Sequence, residues 1–486
     1  MTANRLGFLF CTIPLSLLAA GAVAREEDVG QRFEKVVQPM VRAINAEDYA
    51  GISQDFDKVM LDALPLEKST LFFKNLIRDC GKIVKLDAAR VVSPDEAIFV
   101  AHFERAVLDV RIVLDKSNKI IGLGFSPQAP LEVCHVDGDR VVSDALKPIR
   151  QEYRVPAIAG VILTSKGVEN CGVAGSRKSG TGIPVTVNDK WHLGSDTKAM
   201  TAALVGRLVE QRLLRWDTTV ADVFPELAST FHPKAKGITI LHLLSHRAGL
   251  PENLNWVSLS DHGTVQEQRV QALKQGLAEN PKSNPGDKFQ YSNLGYVIVG
   301  AIIEKVTGLS WENAIQDKVF KPLEMKSVGF GGTGTPGQID QPWGHSVGGR
   351  PTSANGPSVD LPQVMAPAGC VHCAIQDWAR FVTDQLRGAR GEPAFLKQST
   401  YQMLHTPPYG GDYGLGWGVT ERSWGGGTVL HHTGCNATNY ANVWLAPKMD
   451  FAILVCVNQG DDTAFRASDD AVVALIKLHV SKKNHP

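Results

Sequence analysis

The stretch WHLGSDTKAM, residues Trp191 to Met200, sets a serine, Ser195, three positions before a lysine, Lys198. Beyond them Met200, Leu204, Val205, Leu208 and Val209 recur at helical spacing. Two readings compete. A serine at the start of a helix caps it by accepting from a free backbone N–H. A serine one turn from a lysine is also a hydroxyl beside its own base. Positions three apart share a helix face, and a desolvated lysine favours the neutral amine that can take a proton. The first helical turn adds unpaired N–H groups at the same spot, suited to a developing oxyanion. Alone, S-x-x-K decides nothing, because composition produces one roughly every few hundred residues.

Two further segments weigh on the choice. QYSNLGY places Tyr291 and Asn293 two apart, just after the turn formed by Asn284, Pro285, Gly286 and Asp287. A phenol there can exchange a proton; an amide can orient a carbonyl or hold the lysine. Downstream, HHTGCN presents His432, Thr433 and Gly434 at the edge of a strand-rich stretch. A histidine there can donate to a substrate carboxylate or oxyanion, and Gly434 permits close backbone approach.

With S-x-x-K, Y-x-N and H-T-G in that order, the chain resembles the serine β-lactamase and penicillin-binding protein superfamily, in its class C-like branch. ITILHLLSHRAGLP, LGYVIVGAIIEKVTG, FKPLEMKSVGF and YGLGWGV frame the motifs in the same way, and the likeness runs from about residue 145 to 480. The branch holds D-aminopeptidases, D,D-carboxypeptidases and family VIII carboxylesterases as well as β-lactamases. The resemblance implies that Ser195 forms an acyl-enzyme and that Lys198 and Tyr291 share the base work. Which of the two takes the first proton stays open. Asn293, His432, Thr433 and Gly434 would bind substrate, and the backbone N–H groups of Ser195 and Cys435 would form the oxyanion hole, leaving the Cys435 thiol merely packed. One departure matters. The third motif begins with His432 where a lysine is a fixed cation, and a histidine titrates near ~6.5. That tilts the expectation from a dedicated β-lactamase towards a peptidase or amidase for D-amino-acid or peptidoglycan-type substrates. A carboxylesterase or β-lactamase is the alternative, and a non-catalytic penicillin-binding sensor or scaffold is the rival from another class.

Strand-like runs flank these motifs. AGVILTS (Ala159 to Ser165) precedes them, YANVWLAP and FAILVCVN follow, and a helix is expected over about Thr463 to Val480. The reading is α+β: one antiparallel sheet built from both ends of residues 151–486, flanked by helices, with a helical lobe between. Gly331 to Pro357, rich in Gly and Pro, reads as a long surface loop. Residues 25–130 read as a separate α+β unit. Phe33, Val36, Val37, Met40, Val41 and Ile44 form one helical face, and a second helix is expected near Glu67 to Ile77. The strands AIFVAHF, AVLDVRIVL and KIIGLGF follow, the last two joined by a turn at Asp115 to Asn118. The pattern resembles NTF2-like (cystatin-like) domains. Residues 131–150 read as a linker.

Residues 1–24 carry Arg5, an apolar run and Ala22-Val23-Ala24, the pattern of a cleaved secretory signal. No later stretch reaches the ~18 apolar residues of a membrane span. The expectation is a secreted or periplasmic protein without stable membrane insertion after cleavage, and no oligomeric state follows from the sequence. Lys plus Arg and Asp plus Glu number 50 each in 486 residues, which argues against a nucleic-acid partner held by bulk charge. A small-molecule or peptide substrate is expected, with no cofactor and no metal. His242 and His246 are four apart, but Leu243 stands where H-E-x-x-H needs a glutamate, so they read as packing and capping residues. Cys370 and Cys373 form a lone C-x-x-C, read as packed thiols.

Overall fold

The computed structural model describes residues 26–127, 134–260, 263–352 and 360–484. The signal-sequence reading of residues 1–24 lies outside them. The chain divides into two compact units, Met1–Gln128 and Ala129–Pro486.

In the first unit the helix Glu26–Asn45 buries Phe33, Val37, Met40 and Ile44, the face that the spacing predicts. The helix Leu66–Cys80 adds Phe73 and Leu76. Both helices share one core with an antiparallel sheet of five strands. Strand Glu96–Phe103 alternates between buried and half-buried positions, as a sheet covered on one face must. The expected turn is present: Asn118 takes the left-handed conformation (φ 62°), and Asp115 accepts from the Ser117 and Lys119 amides. Fully buried Phe33, Phe73 and Phe99 anchor the core, each worth about 2–3 kcal/mol of apolar burial.

The second unit is built on a seven-stranded antiparallel sheet. Its spatial order is Gly418–Arg422, Gly427–Cys435, Tyr440–Ala446, Phe451–Val457, Ala157–Thr164, Gly167–Gly175 and Val136–Gly138. Strands from the two ends of the unit meet where Leu454 pairs with Val161. Strand Ala157–Thr164 is buried at every position because both faces are covered. Ala159, Val161 and Leu163 face the lobe core, while Ile158 and Ile162 join Val142, Leu146 and Leu475 on the opposite face.

The linker expected over 131–150 needs correction. Residues Val136–Gly138 form an edge strand, and Arg140–Tyr153 is a helix capped by Asp139 and packed through Val142 and Leu146. Pro148 within the helix and the turn residues before it masked its periodicity. The loop expected over 331–357 carries more structure than a surface loop in its described part, 331–352: His345–Ser346 pairs with Arg350–Pro351, and Trp343 and His345 are buried. The last helix runs longer than expected, over Asp462–Asn484.

In the lobe, Asn293–Thr307 is buried almost throughout. Beside it Arg269, fully buried, pairs with Glu304 at 2.5 Å and Glu312 at 2.6 Å. Among the described residues no single helix is long and apolar enough to cross a membrane.

Candidate active site

Ser195 sits in a tight 3₁₀ turn, Gly194–Asp196, that runs directly into the helix Thr197–Glu210. Gly194 holds φ 51°, in the left-handed region where a side chain is strained. A Cβ there would also fall 2.4 Å from the Cys435 amide nitrogen. The turn is clamped from a second side by residues 367–371. Thr201 Oγ1 donates to the Pro367 carbonyl, the Val371 amide donates to Thr197 Oγ1, and the Leu193 amide donates to the Val371 carbonyl.

Lys198 points from the first helical turn onto Ser195. Its Nζ lies 3.0 Å from Ser195 Oγ, 2.8 Å from Asn293 Oδ1 and 2.8 Å from the Ala368 carbonyl oxygen. All three partners are uncharged. Burial lowers the amine to about 7, and neighbouring Asp196 offsets this only in part. Asp196 is itself buried, which raises its carboxyl well above the usual range. Near neutral pH the amine is therefore available as a base. With two N–H bonds kept on Asn293 and Ala368, its lone pair faces the serine hydroxyl.

Tyr291 Oη donates to Ser195 Oγ at 2.8 Å. Burial raises this phenol, so it rests as a neutral donor. Its backbone is held by His246: the Ser292 amide donates to His246 Nδ1 at 3.0 Å, and the Gln290 amide donates to the His246 carbonyl. His246 adopts φ 58°, and its ring lies 4.3 Å from the Tyr291 ring, tilted by 35°. Burial, with Lys198 nearby, keeps it neutral. Ser292 then caps the helix that carries Asn293.

Four predicted residues thus converge: Ser195, Lys198, Tyr291 and Asn293. Of the two roles open to the Asn293 amide, it takes that of holding the lysine: Oδ1 accepts from Lys198, and Nδ2 donates to Asn253 Oδ1 at 2.9 Å. The His432 ring is buried, 3.0 Å from the Tyr413 hydroxyl and 3.4 Å from Asp196. Burial and the nearby Lys198 bring it down to about 3, so it is neutral and turned inward, not presented to a substrate carboxylate. Thr433, the next residue along the strand, is exposed. Gly434 does permit a close approach, but by the protein itself: a Cβ there would fall 1.9 Å from the Leu193 carbonyl oxygen and 2.7 Å from the Ser195 amide. The two amides assigned to the oxyanion hole therefore border one narrow gap. Cys435, read as packed, is exposed as a residue, and its sulfur accepts from the Ala437 amide at 3.2 Å.

Sequence reasoning missed His246 as the prop of Tyr291, Tyr413 as the partner of His432, and Asn253. Tyr413 opens the framing segment YGLGWGV. Its Gly416 presses on the nucleophile helix, since a Cβ would lie 2.7 Å from Ala199 Cα. His242 and His246 do not converge as metal ligands: His242 closes a capping box with Thr239. Among the described residues no group of three or more His, Cys, Asp and Glu is placed to hold a metal ion.

The family model described as Beta-lactamase matches residues 142–478. The chain belongs to this family. Its fold is that of the β-lactamases and penicillin-binding proteins, and the family is one of serine hydrolases, some of whose members are non-catalytic. A second model, described as "Protein of unknown function (DUF3887)", matches residues 38–123, within the first unit. Penicillin-binding protein 4 of Amycolatopsis lactamdurans is 27% identical over 330 residues, covering 65% of this chain and 84% of that protein. Protein flp of Staphylococcus aureus (strain MW2) is 24% identical over 57% of this chain; the match spans 54% of flp, about half its length. Among solved structures, SurE superposes with TM-score 0.58 at 21% identity, covering 70% of this chain and 75% of SurE. The octameric penicillin-binding protein homologue of Pyrococcus abyssi gives 0.56 at 22%, over 68% and 75%.

Proposed function

We propose that this β-lactamase-family protein is an exported serine hydrolase that opens an amide through a Ser195 acyl-enzyme, acting on D-amino-acid or peptidoglycan-type substrates. One observation carries the reading: Ser195 Oγ lies within hydrogen-bonding distance of both the Lys198 amine, at 3.0 Å, and the Tyr291 phenol, at 2.8 Å. The Ser195 proton passes to neutral Lys198 as Oγ adds to the carbonyl carbon. The resulting oxyanion lies between the Ser195 and Cys435 amides. The proton then reaches the leaving nitrogen, with Tyr291 placed to relay it, and the C–N bond breaks. Water, activated by the same amine, hydrolyses the acyl-enzyme. Lys198 is the better first base, because burial favours its neutral form while the same burial keeps Tyr291 protonated.

Support for a D-amino-acid substrate comes from a neighbour solved as SurE with D-Leu (TM-score 0.57) and from the penicillin-binding relative. The export signal read in residues 1–24 fits a substrate outside the cytoplasm. Neutral His432 offers no fixed cation for the carboxylate of a β-lactam, which argues against a dedicated β-lactamase.

Labelling by a fluorophosphonate probe tests the chemistry. The wild type is expected to label, and Ser195→Ala to lose labelling while still folding, since its hydroxyl caps no helix and its removal forfeits only the two hydrogen bonds to Lys198 and Tyr291, about 1 kcal/mol each. Labelling that persists in Ser195→Ala removes the nucleophile; no labelling of the wild type favours a non-catalytic binder. A D-aminoacyl anilide, a short-chain nitrophenyl ester and a chromogenic cephalosporin, run side by side, separate the substrate classes.

A further inference from the structure

We propose that Asp360 is a positioning residue that sets the width of the oxyanion hole, acting through His192 on one wall and Asn436 on the other. The inference rests on the acyl-enzyme reading above. His192 lies two residues before the Gly194 amide and three before Ser195. That amide donates to His192 Nδ1 at 3.1 Å. The ring proton is therefore on Nε2, which donates to Asp360 Oδ2 at 2.8 Å. The other carboxylate oxygen accepts from Asn436 Nδ2, also at 2.8 Å. Asn436 directly follows Cys435, and its own Oδ1 accepts from the Thr438 amide and hydroxyl, closing the turn after the strand.

One carboxylate thus spans both walls. The Cys435 amide sits one residue from Asn436, which bonds the carboxylate directly, and the Ser195 amide one residue from the Gly194 amide, which reaches it through His192. The gap between the walls has no slack, as the contacts a Cβ would make at Gly194 and Gly434 require. The side chains of His192 and Asp360 are both only 1% exposed. Burial would raise the Asp360 carboxyl, but its electrostatic attraction to His192, with the His192 and Asn436 hydrogen bonds, outweighs it and holds it low. Burying a carboxylate opposite N–H donors is costly. Two acceptor oxygens are nevertheless required. An asparagine would turn its NH₂ towards either the His192 N–H or the Asn436 NH₂, donor against donor.

The test compares the wild type, Asp360→Asn, Asn436→Ala and the double variant. The substrates are a short-chain p-nitrophenyl ester and its thionoester, in which C=S replaces C=O, with active sites counted by fluorophosphonate labelling. Expected for Asp360→Asn is a 10- to 100-fold fall in kcat, roughly the scale of lost outer-shell support, with KM within about twofold. The ester-to-thionoester rate ratio should shrink, because a loosened pair of donors discriminates less between oxygen and the larger sulfur. Asn436→Ala should move both quantities the same way, and the double variant should lose less than the product of the single effects. If Asp360→Asn fails to fold, Asn436→Ala, which removes one donor and leaves His192 in place, decides alone. Folded variants with unchanged kcat, or an equal loss on both substrates, overturn the positioning role. A wild type that neither labels nor turns over the ester overturns the acyl-enzyme reading itself, and this inference with it.

Discussion

Replacing Lys198 by methionine gives the most direct measure of how the site makes its base. The amine is fully buried, and its value falls from the ordinary 10.5 to about 7. That gap corresponds to about 5 kcal/mol in favour of the neutral amine in the fold. Between pH 7 and 10.5 the unfolded chain holds a proton that the folded chain has released, so this group makes stability rise with pH. The slope is about 1.4 kcal/mol per pH unit. Lys198→Met removes the slope. It also strands the Asn293 and Ala368 acceptors, a cost of about 1–3 kcal/mol each. That cost does not depend on pH and cancels when two pH values are compared. From pH 7 to 9 the wild type should therefore gain about 2 kcal/mol relative to Lys198→Met. Urea unfolding followed by tryptophan fluorescence is the assay. All nine tryptophans lie between Trp191 and Trp444, so the signal reports the second unit alone. In the wild type, fluorophosphonate labelling should also slow about tenfold per pH unit below pH 7. Parallel stability profiles for wild type and variant would refute the argument that burial creates the base.

Two further perturbations probe the neighbours. Tyr291→Phe removes the donor to Ser195 Oγ and should lower the labelling rate about 10²- to 10⁴-fold while costing about 1 kcal/mol of stability; the acid limb near pH 7 should persist, because it belongs to Lys198. Arg269→Met strands Glu304 and Glu312 in the lobe and should cost about 3–5 kcal/mol by urea unfolding, with the deficit shrinking at acid pH as Glu304, already raised by burial, takes up a proton.

Much of the site was legible because its spacing is local. Ser195 and Lys198 share one helical turn, and Tyr291 and Asn293 flank one helix start, so sequence order fixes their geometry before the fold does. The strands were legible where burial alternates or runs unbroken, as in Glu96–Phe103 and Ala157–Thr164. The helix Arg140–Tyr153 escaped because Pro148 sits inside it and the preceding residues read as turn. The orientation of His432 escaped for another reason. A strand residue can face the cleft or the core, and this ring is buried against the Tyr413 hydroxyl, 19 positions earlier, a contact that no local pattern announces. His246 escaped likewise: its contact with Ser292 spans 46 positions, and no local pattern announces it.

The same long-range contacts account for how the base is tuned. A lysine can be neutralised by a neighbouring cation or by removal from water. Here the two imidazoles nearest the amine, His246 and His432, are held uncharged by burial, and Asp196 is pushed towards its protonated form. What remains around Lys198 is a shell of neutral dipoles from Ser195, Asn293 and Ala368. Such a shell satisfies the amine in either protonation state, because Ser195 can accept from the ammonium or donate to the free amine. A lysine in place of His432 would add a second positive charge to the same dry pocket. The histidine instead leaves the depression of Lys198 to burial, which depends on the packing of residues 367–371 and 413–416 against the nucleophile helix. The base and the fold are in this sense one property: loosening that packing lets water in, restores the ammonium, and switches off the serine.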